Sequence, residues 1–372
     1  MKITDVNVRR YGQMGRVVEV YVGREILVVS VATDEGVTGL GYVTVNVSPY
    51  GPSGDLAATL IRRNFRNMLL GEDPRLVEQL WRRMYDAIWR TGRRGLGLQC
   101  LGAIDCALWD IRGKLQDLPI SSLLGCSREL IPTYANAAHQ LPPDKLAEKA
   151  AEYVKAGHRA LKIRGTATAV SLTEATERVK AVREAIGPDV KLMVDVNGTW
   201  DAPTAIEQLK RWEPYDVYWL EEPVHPEDVP GYVSVRRRSG KTLIVGGEQH
   251  ATLFEFRHLL ESGAVDIVQP NVNVTGGITE WLRIYGFATS LNVPVSPWNL
   301  QQVHIHMAAG LPNVKWIEYF TSDRNDILNT IFEGADMTEV VRDDGVYLRP
   351  PEGPGLGLNL NEAAAEQYMV KE

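Results

Sequence analysis

The sequence predicts an α/β protein in which a closed (β/α) barrel follows an N-terminal α+β unit. Residues 1–48 alternate in the manner of strands, and residues 55–125 carry apolar side chains at the spacing of amphipathic helices. From residue 131 onward, eight apolar runs of strand length alternate with helical stretches. The runs begin roughly 20–30 residues apart, as βα units do. Eight such units are the number that closes a parallel sheet into a barrel.

The same change of pattern divides the chain into three parts. We expect an α+β domain over residues 1–128 and the barrel over residues 129–345. Residues 346–372 are rich in proline and glycine, and we expect them to leave the barrel and pack on the first domain. Residues 98–116 are apolar around most of a helical circumference, which predicts a buried helix.

The composition argues against several classes of function. Among 372 residues, 44% are hydrophobic and 23% charged, and the formal net charge of −7 is unlike that of a nucleic-acid-binding protein. No apolar run approaches the roughly 18 residues that span a membrane, and the N-terminal residues lack the apolar core of a secretory signal. Three cysteines without paired spacing fit a reducing compartment. We therefore expect a cytoplasmic enzyme that acts on a small molecule, with no nucleic-acid or membrane partner.

Polar residues mark the ends of the predicted barrel strands. The eight runs are 133–139, 160–165, 191–197, 217–223, 242–248, 265–271, 293–299 and 315–320. Barrel enzymes place their chemistry at the C-terminal ends of the strands. In this chain those ends carry, in order, His139, Lys162, Arg164, Asp195, Asn197, Glu221, Glu222, Glu248, Asn271, Trp298 and Glu318. We expect most of these side chains to converge on one site.

Three successive strands end in a carboxylate, and these residues are Asp195, Glu221 and Glu248. Neighbouring parallel strands lie about 4.8 Å apart, so the three anions would repel one another unless a divalent cation lies among them. An all-oxygen ligand set favours Mg²⁺. The structural alternative is that each carboxylate caps a helix or forms an ion pair. Three such strands in succession make this alternative less favoured. Alternation along the strand sends Glu222 to the opposite face, where we expect solvent or a salt-bridge partner.

Lys162 and Arg164 lie two residues apart on the second strand, so both side chains point toward the same site. Beside a metal ion and a bound carboxylate, such cations hold the substrate anion or transfer a proton. The alternative is a pair of surface cations at a strand edge. The apolar neighbours Ala160, Leu161 and Ile163 favour the buried interpretation.

Taken together, these segments resemble the mandelate racemase branch of the enolase superfamily. The matching segments, in family order, are ALWDIRGKLQDLPISSLLG (107–125), ALKIRG (160–165), DVN (195–197), WLEEP (219–223), GGEQH (246–250), VDIVQPN (265–271), GGIT (276–279) and WIEYF (316–320). The resemblance implies an α+β capping domain over a (β/α)₇β TIM-like barrel, with Mg²⁺ bound by Asp195, Glu221 and Glu248. It also implies removal of a proton α to a carboxylate, a hydrogen bond from Glu318 to the developing enediolate, and a homo-oligomer between dimer and octamer.

The departures from the family pattern bear on the reaction. Arg164 stands where the family has the second lysine of Lys-x-Lys, Asn271 where it has an aspartate, and Trp298 where it has a histidine. Amide and indole groups do not titrate near neutral pH, so racemisation by two bases is disfavoured. Lys162 remains as a strand-end amine. His250 lies just after the fifth strand and is a second candidate, although it could equally belong to the first turn of a helix.

Substrate contacts are expected from loops as well as from strand ends. The candidates are Tyr11, Arg16, Tyr50, His139, Asn197, Asn271 and Trp298, although an ordinary hairpin or loop explains the first three equally well. The leading hypothesis is Mg²⁺-dependent dehydration of a sugar acid, because β-elimination requires only one base. A racemase, epimerase or cycloisomerase acting on another carboxylate is the second hypothesis. A catalytically silent protein that binds metal and acid is the third.

Overall fold

A computed structural model describes residues 1–17, 20–47, 53–136, 141–166, 171–321, 327–334 and 337–370, with side chains except at 13–24, 46 and 47. The chain begins with an antiparallel sheet of three strands in sequence order. These strands are β1 (Ile3–Val17), β2 (Val20–Thr33) and β3 (Thr38–Val47). The predicted strand meander is therefore present.

Helices follow this sheet, as the change of period predicts. They are α1 (Ser53–Leu60), α2 (Arg66–Leu69), α3 (Val77–Ile88), α4 (Leu96–Gln116) and α5 (Ile120–Leu123), with a π-helical turn between the first two. The long helix α4 is buried along most of its length, which confirms its predicted burial. Its backbone packs directly on β3, because Gly39 and Gly41 leave space where a Cβ would overlap the carbonyl oxygens of Ala107 and Ala103.

The barrel is closed and parallel. Its named strands are β4 (Ile131–Asn136), β5 (Ala160–Arg164), β6 (Lys191–Asp195), β7 (Val217–Glu221), β8 (Leu243–Gly246), β9 (Ile267–Val268) and β10 (Ile317–Tyr319). The seventh position is shorter than predicted: among the described residues there, only Val295 forms bridges, to Val268 in β9 and to Val314, which precedes β10. The last strand, β10, pairs with β4 and closes the ring.

Helices surround the barrel between its strands. They are α6 (Pro143–Lys155), α7 (Leu172–Ile186), α8 (Ala202–Trp212), α9 (Val229–Arg236), α10 (Leu253–Glu261), α11 (Val272–Thr275), α12 (Ile278–Ser290) and α13 (Gln301–Gly310). Side-chain oxygens of Ser171, Asp201 and Asp228 cap three of them at the N-terminus. Within the described ranges, no helix combines the length and apolar character needed to cross a membrane.

The C-terminal part returns to the first domain. It contains α14 (Ile327–Ile331), β11 (Phe332–Glu333), β12 (Thr338–Arg342), β13 (Gly345–Arg349), β14 (Asn359–Leu360) and α15 (Glu362–Ala365). Strand β13 pairs with β4 of the barrel. Beyond it, the Leu356 amide donates to Asp110 at 2.7 Å and the Val370 amide donates to the Arg10 carbonyl at 2.9 Å. The proposed domain boundaries remain a prediction.

One buried carboxylate joins the two domains. Asp105 on α4 accepts hydrogen bonds from the Thr279 amide (2.9 Å) and hydroxyl (2.6 Å) at the start of α12. The Trp109 indole also donates to the Thr279 hydroxyl, at 2.9 Å. Gly277 permits this approach, because its φ is +103° and a Cβ would overlap the Asp105 carboxylate. The GGIT segment is thus a point of contact between the domains.

Asp105→Leu should lower the free energy of unfolding by about 1–3 kcal/mol for each polar group of Thr279 that loses its partner. Asp105→Asn should retain most of the stability, with a different pH dependence. Burial raises the pKa of Asp105 from 3.8 to about 7, although the Thr279 hydrogen bonds lower it. The folded state therefore holds this proton between about pH 4 and pH 7, whereas the unfolded state releases it. Wild-type stability should consequently fall relative to Asp105→Asn as pH rises through that range, in urea titrations.

Candidate active site

A buried trio of carboxylates lies at the C-terminal ends of three adjacent strands. Asp195 ends β6 and is in register with Glu221 at the end of β7, and Glu248 follows β8. One oxygen from each residue lies within 4.8 Å of the others. All three side chains are buried. The structure therefore brings together the three residues that the strand ends predicted.

Two cations from β5 contact this trio. Lys162 Nζ lies 2.5 Å from Glu221 Oε1 and 2.9 Å from Glu318 Oε1, and Arg164 Nη1 lies 3.1 Å from Asp195 Oδ2. The Lys162 side chain is 1% exposed, whereas that of Arg164 is 20% exposed. The Lys162 side chain is thus enclosed within the site, whereas the Arg164 side chain is partly exposed.

Glu318 on β10 completes the cluster as an acceptor. Its Oε1 accepts from Lys162 and from Asn136 Nδ2 (2.5 Å), and its Oε2 accepts from the Asn299 amide (2.8 Å). Burial by itself would raise the pKa of Glu318, but the Lys162 charge and the hydrogen bonds from Lys162, Asn136 and the Asn299 amide together outweigh burial and lower the pKa. Glu318 is therefore held ionised and anchors the lysine. Asn136 was missed from sequence, because the expected strand end lay farther on, at His139.

Glu222 lies inside the site, so its predicted exposure to solvent or a salt bridge is wrong. The side chain is 2% exposed, and Oε2 accepts from Asn197 Nδ2 at 3.4 Å. Strand β7 ends one residue earlier, and the backbone of Glu222 is left-handed with φ +44°. Alternation holds only within a strand, so it does not govern this residue. Asn197, also left-handed at φ +45°, donates its backbone amide to Asp195 at 2.8 Å.

The site holds more acidic than basic groups. Five carboxyl groups lie there with two cations, and the carboxyl groups belong to Asp195, Glu221, Glu222, Glu248 and Glu318. Burial raises the pKa of Glu221 to about 7 and, with the charge of Asp195, that of Glu222 to about 8. Burial by itself would lower the pKa of Lys162, but Glu221 and Glu318 raise it well above its usual range.

The unpaired oxygens of the trio fit a divalent cation. Glu221 Oε2 and Glu248 Oε2 are buried without a hydrogen-bond partner among the described residues. A buried carboxylate oxygen left in this way is costly. A divalent ion ligated by the three carboxylates would satisfy these oxygens and offset the excess charge. Their all-oxygen chemistry suits Mg²⁺.

A cavity of about 330 Å³ lies between the first domain and the barrel beside this site, and we call it the cap–barrel cavity. It is lined by Thr44, Val45, Ser53, Leu96, Gln99, Gln249, Asn271, Asn273, Val274, Trp298, Asn299 and Leu300. Gln249 Nε2 donates to Glu248 Oε1 at 3.0 Å, and the Asn299 amide donates to Glu318. Two residues that line the cavity therefore also hydrogen-bond to members of the carboxylate cluster.

Asn271 and Trp298 both line the cavity, yet the amide of Asn271 is already engaged. Its Oδ1 accepts from the Asn273 amide at 2.8 Å, which caps α11, and its Nδ2 donates to the Trp298 carbonyl at 2.9 Å. A substrate contact from Asn271 remains a prediction. The indole of Trp298 supplies an apolar wall.

The other predicted site residues make no described contact with the carboxylate trio or lie outside the residues that the structure describes. Tyr11 is fully buried, pairs with Met369 of the C-terminal part and does not line the cavity, so its predicted substrate contact is not supported. His250 is buried with its ring 5.8 Å from that of Phe256, and burial, together with the Arg94 charge, lowers its pKa to about 4. No described contact joins His250 to the carboxylate trio. Tyr50, His139 and the side chain of Arg16 lie outside the described residues.

A buried carboxylate trio with two cations at the C-terminal mouth of a (β/α) barrel defines the class of metal-dependent barrel enzymes. The chain belongs to the mandelate racemase/muconate lactonizing enzyme family of the enolase superfamily. Residues 6–125 match the family's N-terminal domain, and residues 145–364 match the "Enolase C-terminal domain-like" model. The resemblance predicted from the sequence is thereby confirmed, together with the capping domain and barrel.

Similar proteins include enzymes of several activities. The chain is 34% identical over 358 residues to an arabinonate dehydratase of Saccharolobus solfataricus, covering 93% of this chain and 91% of that relative. A racemase structure from Streptomyces coelicolor with bound magnesium has a TM-score of 0.88 at 28% identity, covering 99% and 100% of the two chains. An L-talarate dehydratase from Polaromonas sp., in complex with Mg and L-glucarate, has a TM-score of 0.86 at 29% identity, covering 100% and 98%. These relatives support the enolase-superfamily mechanism.

Proposed function

We propose that the protein is a Mg²⁺-dependent dehydratase of a sugar acid, and that it is cytoplasmic and homo-oligomeric. The observation that carries this proposal is the one-sided distribution of proton carriers. Lys162 and Arg164 contact the carboxylate trio from β5. Asn271 and Trp298, which follow the sixth and seventh barrel positions, cannot exchange protons near neutral pH. A site of this kind suits β-elimination at one face better than racemisation.

The side chains of the site have different roles in the elimination. Asp195, Glu221 and Glu248 would hold Mg²⁺. When bound, Mg²⁺ supplies positive charge that stabilises the negative charge developing on the substrate. The same positive charge offsets the carboxylates, which otherwise raise the pKa of Lys162. Arg164, which is partly exposed, binds the substrate carboxylate.

Lys162 moves the proton. Its neutral amine removes the α-proton, the bond between the β-carbon and its hydroxyl breaks, and the resulting ammonium returns the proton to the departing hydroxide as water. The enol product then becomes a 2-keto acid. Glu318 fixes the position of the amine through an ion pair of 2.9 Å, and Asn136 in turn donates a hydrogen bond of 2.5 Å to Glu318. Trp298 limits the access of water at the far side.

The test is to incubate the Mg²⁺-loaded protein with a panel of sugar acids and detect 2-keto acid as a carbonyl adduct. Formation of such a product, abolished by EDTA, is the expected result. If the protein binds Mg²⁺ and acids but forms no product and exchanges no α-proton, the catalytically silent alternative holds.

No substrate should be converted to its α-epimer. In deuterated water, deuterium at the α-carbon of recovered substrate should appear only with retained configuration, because proton carriers occupy one face. NMR of recovered substrate, together with its optical rotation, measures label and configuration at once. Deuterium accompanied by inverted configuration would demonstrate a second base and favour the racemase or epimerase hypothesis.

A further inference from the structure

His304 on α13 is a buried histidine that joins two loops at the active-site end of the barrel. Its side chain is fully enclosed, and its ring lies 6.3 Å from that of Trp281. Nδ1 lies 2.6 Å from the carbonyl oxygen of Asn299, which follows the seventh barrel position. Nε2 accepts a hydrogen bond of 3.1 Å from the Val272 amide at the start of α11, which follows the sixth strand. One imidazole thus connects two neighbouring loops.

These two contacts define the protonation state of the ring. A backbone carbonyl can only accept, so Nδ1 carries the proton, whereas Nε2 accepts from an amide and is unprotonated. Burial lowers the pKa of His304 to about 4, although the hydrogen bond to the Asn299 carbonyl and the charge of Glu318 raise it. The ring is therefore neutral near pH 7. Both nitrogens are engaged with the main chain, so His304 is not a proton carrier for a substrate.

The carbonyl that His304 holds belongs to a strained turn. Asn299 and Leu300 are both left-handed, with φ of +56° and +44°. Two successive left-handed residues other than glycine are costly, so surrounding contacts must hold them in place. The Asn299 amide donates to Glu318 Oε2 at 2.8 Å, and Glu318 Oε1 holds the Lys162 ammonium. The conformation of this turn therefore decides whether Glu318 Oε2 keeps its donor.

We infer that His304 is a positioning residue of the active site, because its bond to the Asn299 carbonyl holds the left-handed turn and thereby the Asn299 amide on Glu318. Among the described residues, His304 contacts neither the carboxylate trio nor the lining of the cap–barrel cavity. It acts instead through Asn299 on Glu318, which orients Lys162. The bond from Val272 restrains the start of α11. The expected effect on turnover rests on the proposed dehydratase function.

Two variants remove these bonds one at a time. His304→Asn places an amide nitrogen near the position of Nδ1, so it should keep the bond to the Asn299 carbonyl and lose that from Val272. His304→Gln reaches the position of Nε2 and should do the reverse. Each variant is the matched control of the other, since each loses one buried hydrogen bond. We expect kcat to fall by about 10- to 100-fold in His304→Gln, with KM and the Mg²⁺-dependent melting shift unchanged. In His304→Asn, kcat should stay close to the wild-type value.

Hydrogen–deuterium exchange with mass spectrometry examines the turn without any substrate. The peptide that contains the Asn299 amide should exchange several-fold to about 10-fold faster in His304→Gln than in the wild type or in His304→Asn. A measurement on the wild type does not depend on the folding of either variant. In ¹⁵N NMR near pH 7, His304 should appear as the neutral ring protonated at Nδ1. A ring protonated at Nε2 would overturn the inference.

Three results of the variant experiments would also overturn the inference. They are equal exchange of this peptide in all three proteins, faster exchange in His304→Gln without a change in kcat, and an equal fall of kcat in both variants. If exchange changes as expected but no sugar acid yields a 2-keto acid, the hold of His304 on the turn is supported. The dehydratase proposal is then the one that is contradicted.

Discussion

Glu221→Gln is expected to lose Mg²⁺ binding and turnover together, with kcat reduced by at least about 10³-fold. Glutamine preserves the shape of the side chain, but it removes the negative charge at the centre of the trio. Glu221 lies in register with Asp195 and shares its immediate surroundings with Glu248. Loss of this charge therefore weakens the binding of Mg²⁺ among the three carboxylates.

Melting temperature supplies a readout that does not depend on activity. A ligand that binds only the folded state stabilises it by about 2.7 kcal/mol at 100 times its dissociation constant. Wild-type protein should therefore melt at a higher temperature in Mg²⁺ than in EDTA, and Glu221→Gln should melt alike in both. Glu213→Gln, an exposed position between β6 and β7, is the matched control and should retain the wild-type shift. If wild-type protein melts identically in the two conditions, the trio is structural.

Glu221→Gln should itself remain folded. The site holds more carboxylates than cations, so removing one negative charge relieves repulsion among buried acids. Lys162 loses one partner but keeps Glu318 at 2.9 Å. Loss of turnover in this variant would thus report on the metal rather than on the fold.

The carboxylate trio could be predicted from the sequence because it depends only on where strands end. In a parallel barrel every strand presents the same end to the site, so counting strands is sufficient to group Asp195, Glu221 and Glu248. Placing Lys162 and Arg164 on the same face required one further rule, the alternation of side chains along a strand. Both rules are local and need no knowledge of distant contacts.

The residues that sequence reasoning misplaced obey no such local rule. Glu222 turns inward because its backbone is left-handed after β7 ends, and Tyr11 is covered by a segment near residue 369. Asn136 matters only because Glu318, far along the chain, accepts its hydrogen bond. Gln269, a buried side chain on the sixth run with no described hydrogen-bond partner, was also overlooked. These placements follow from closure of the barrel and packing of the C-terminal part, which a strand pattern does not contain.

Lys162→Met is expected to reduce kcat by about 10²–10⁴-fold, the range for removal of a group that transfers a proton. The lysine is almost fully buried and lies between Glu221 and Glu318. Leaving these carboxylates without their cation should cost stability of about 3–5 kcal/mol. The double variant Lys162→Met/Glu318→Gln removes one of the two charges and should restore part of that stability without restoring turnover. Lys191→Met, at the exposed start of β6, is the matched control.

Lys162→Arg separates the two roles that the lysine could have. A guanidinium keeps the positive charge beside Glu221 and Glu318, so the variant should fold and bind the substrate carboxylate with a KM close to that of the wild type. It cannot give up its proton near neutral pH, because its pKa exceeds about 12. If Lys162 transfers the α-proton, kcat should therefore fall as far as in Lys162→Met. Turnover near the wild-type value in Lys162→Arg would mean that the residue only holds the substrate anion and that another group removes the proton.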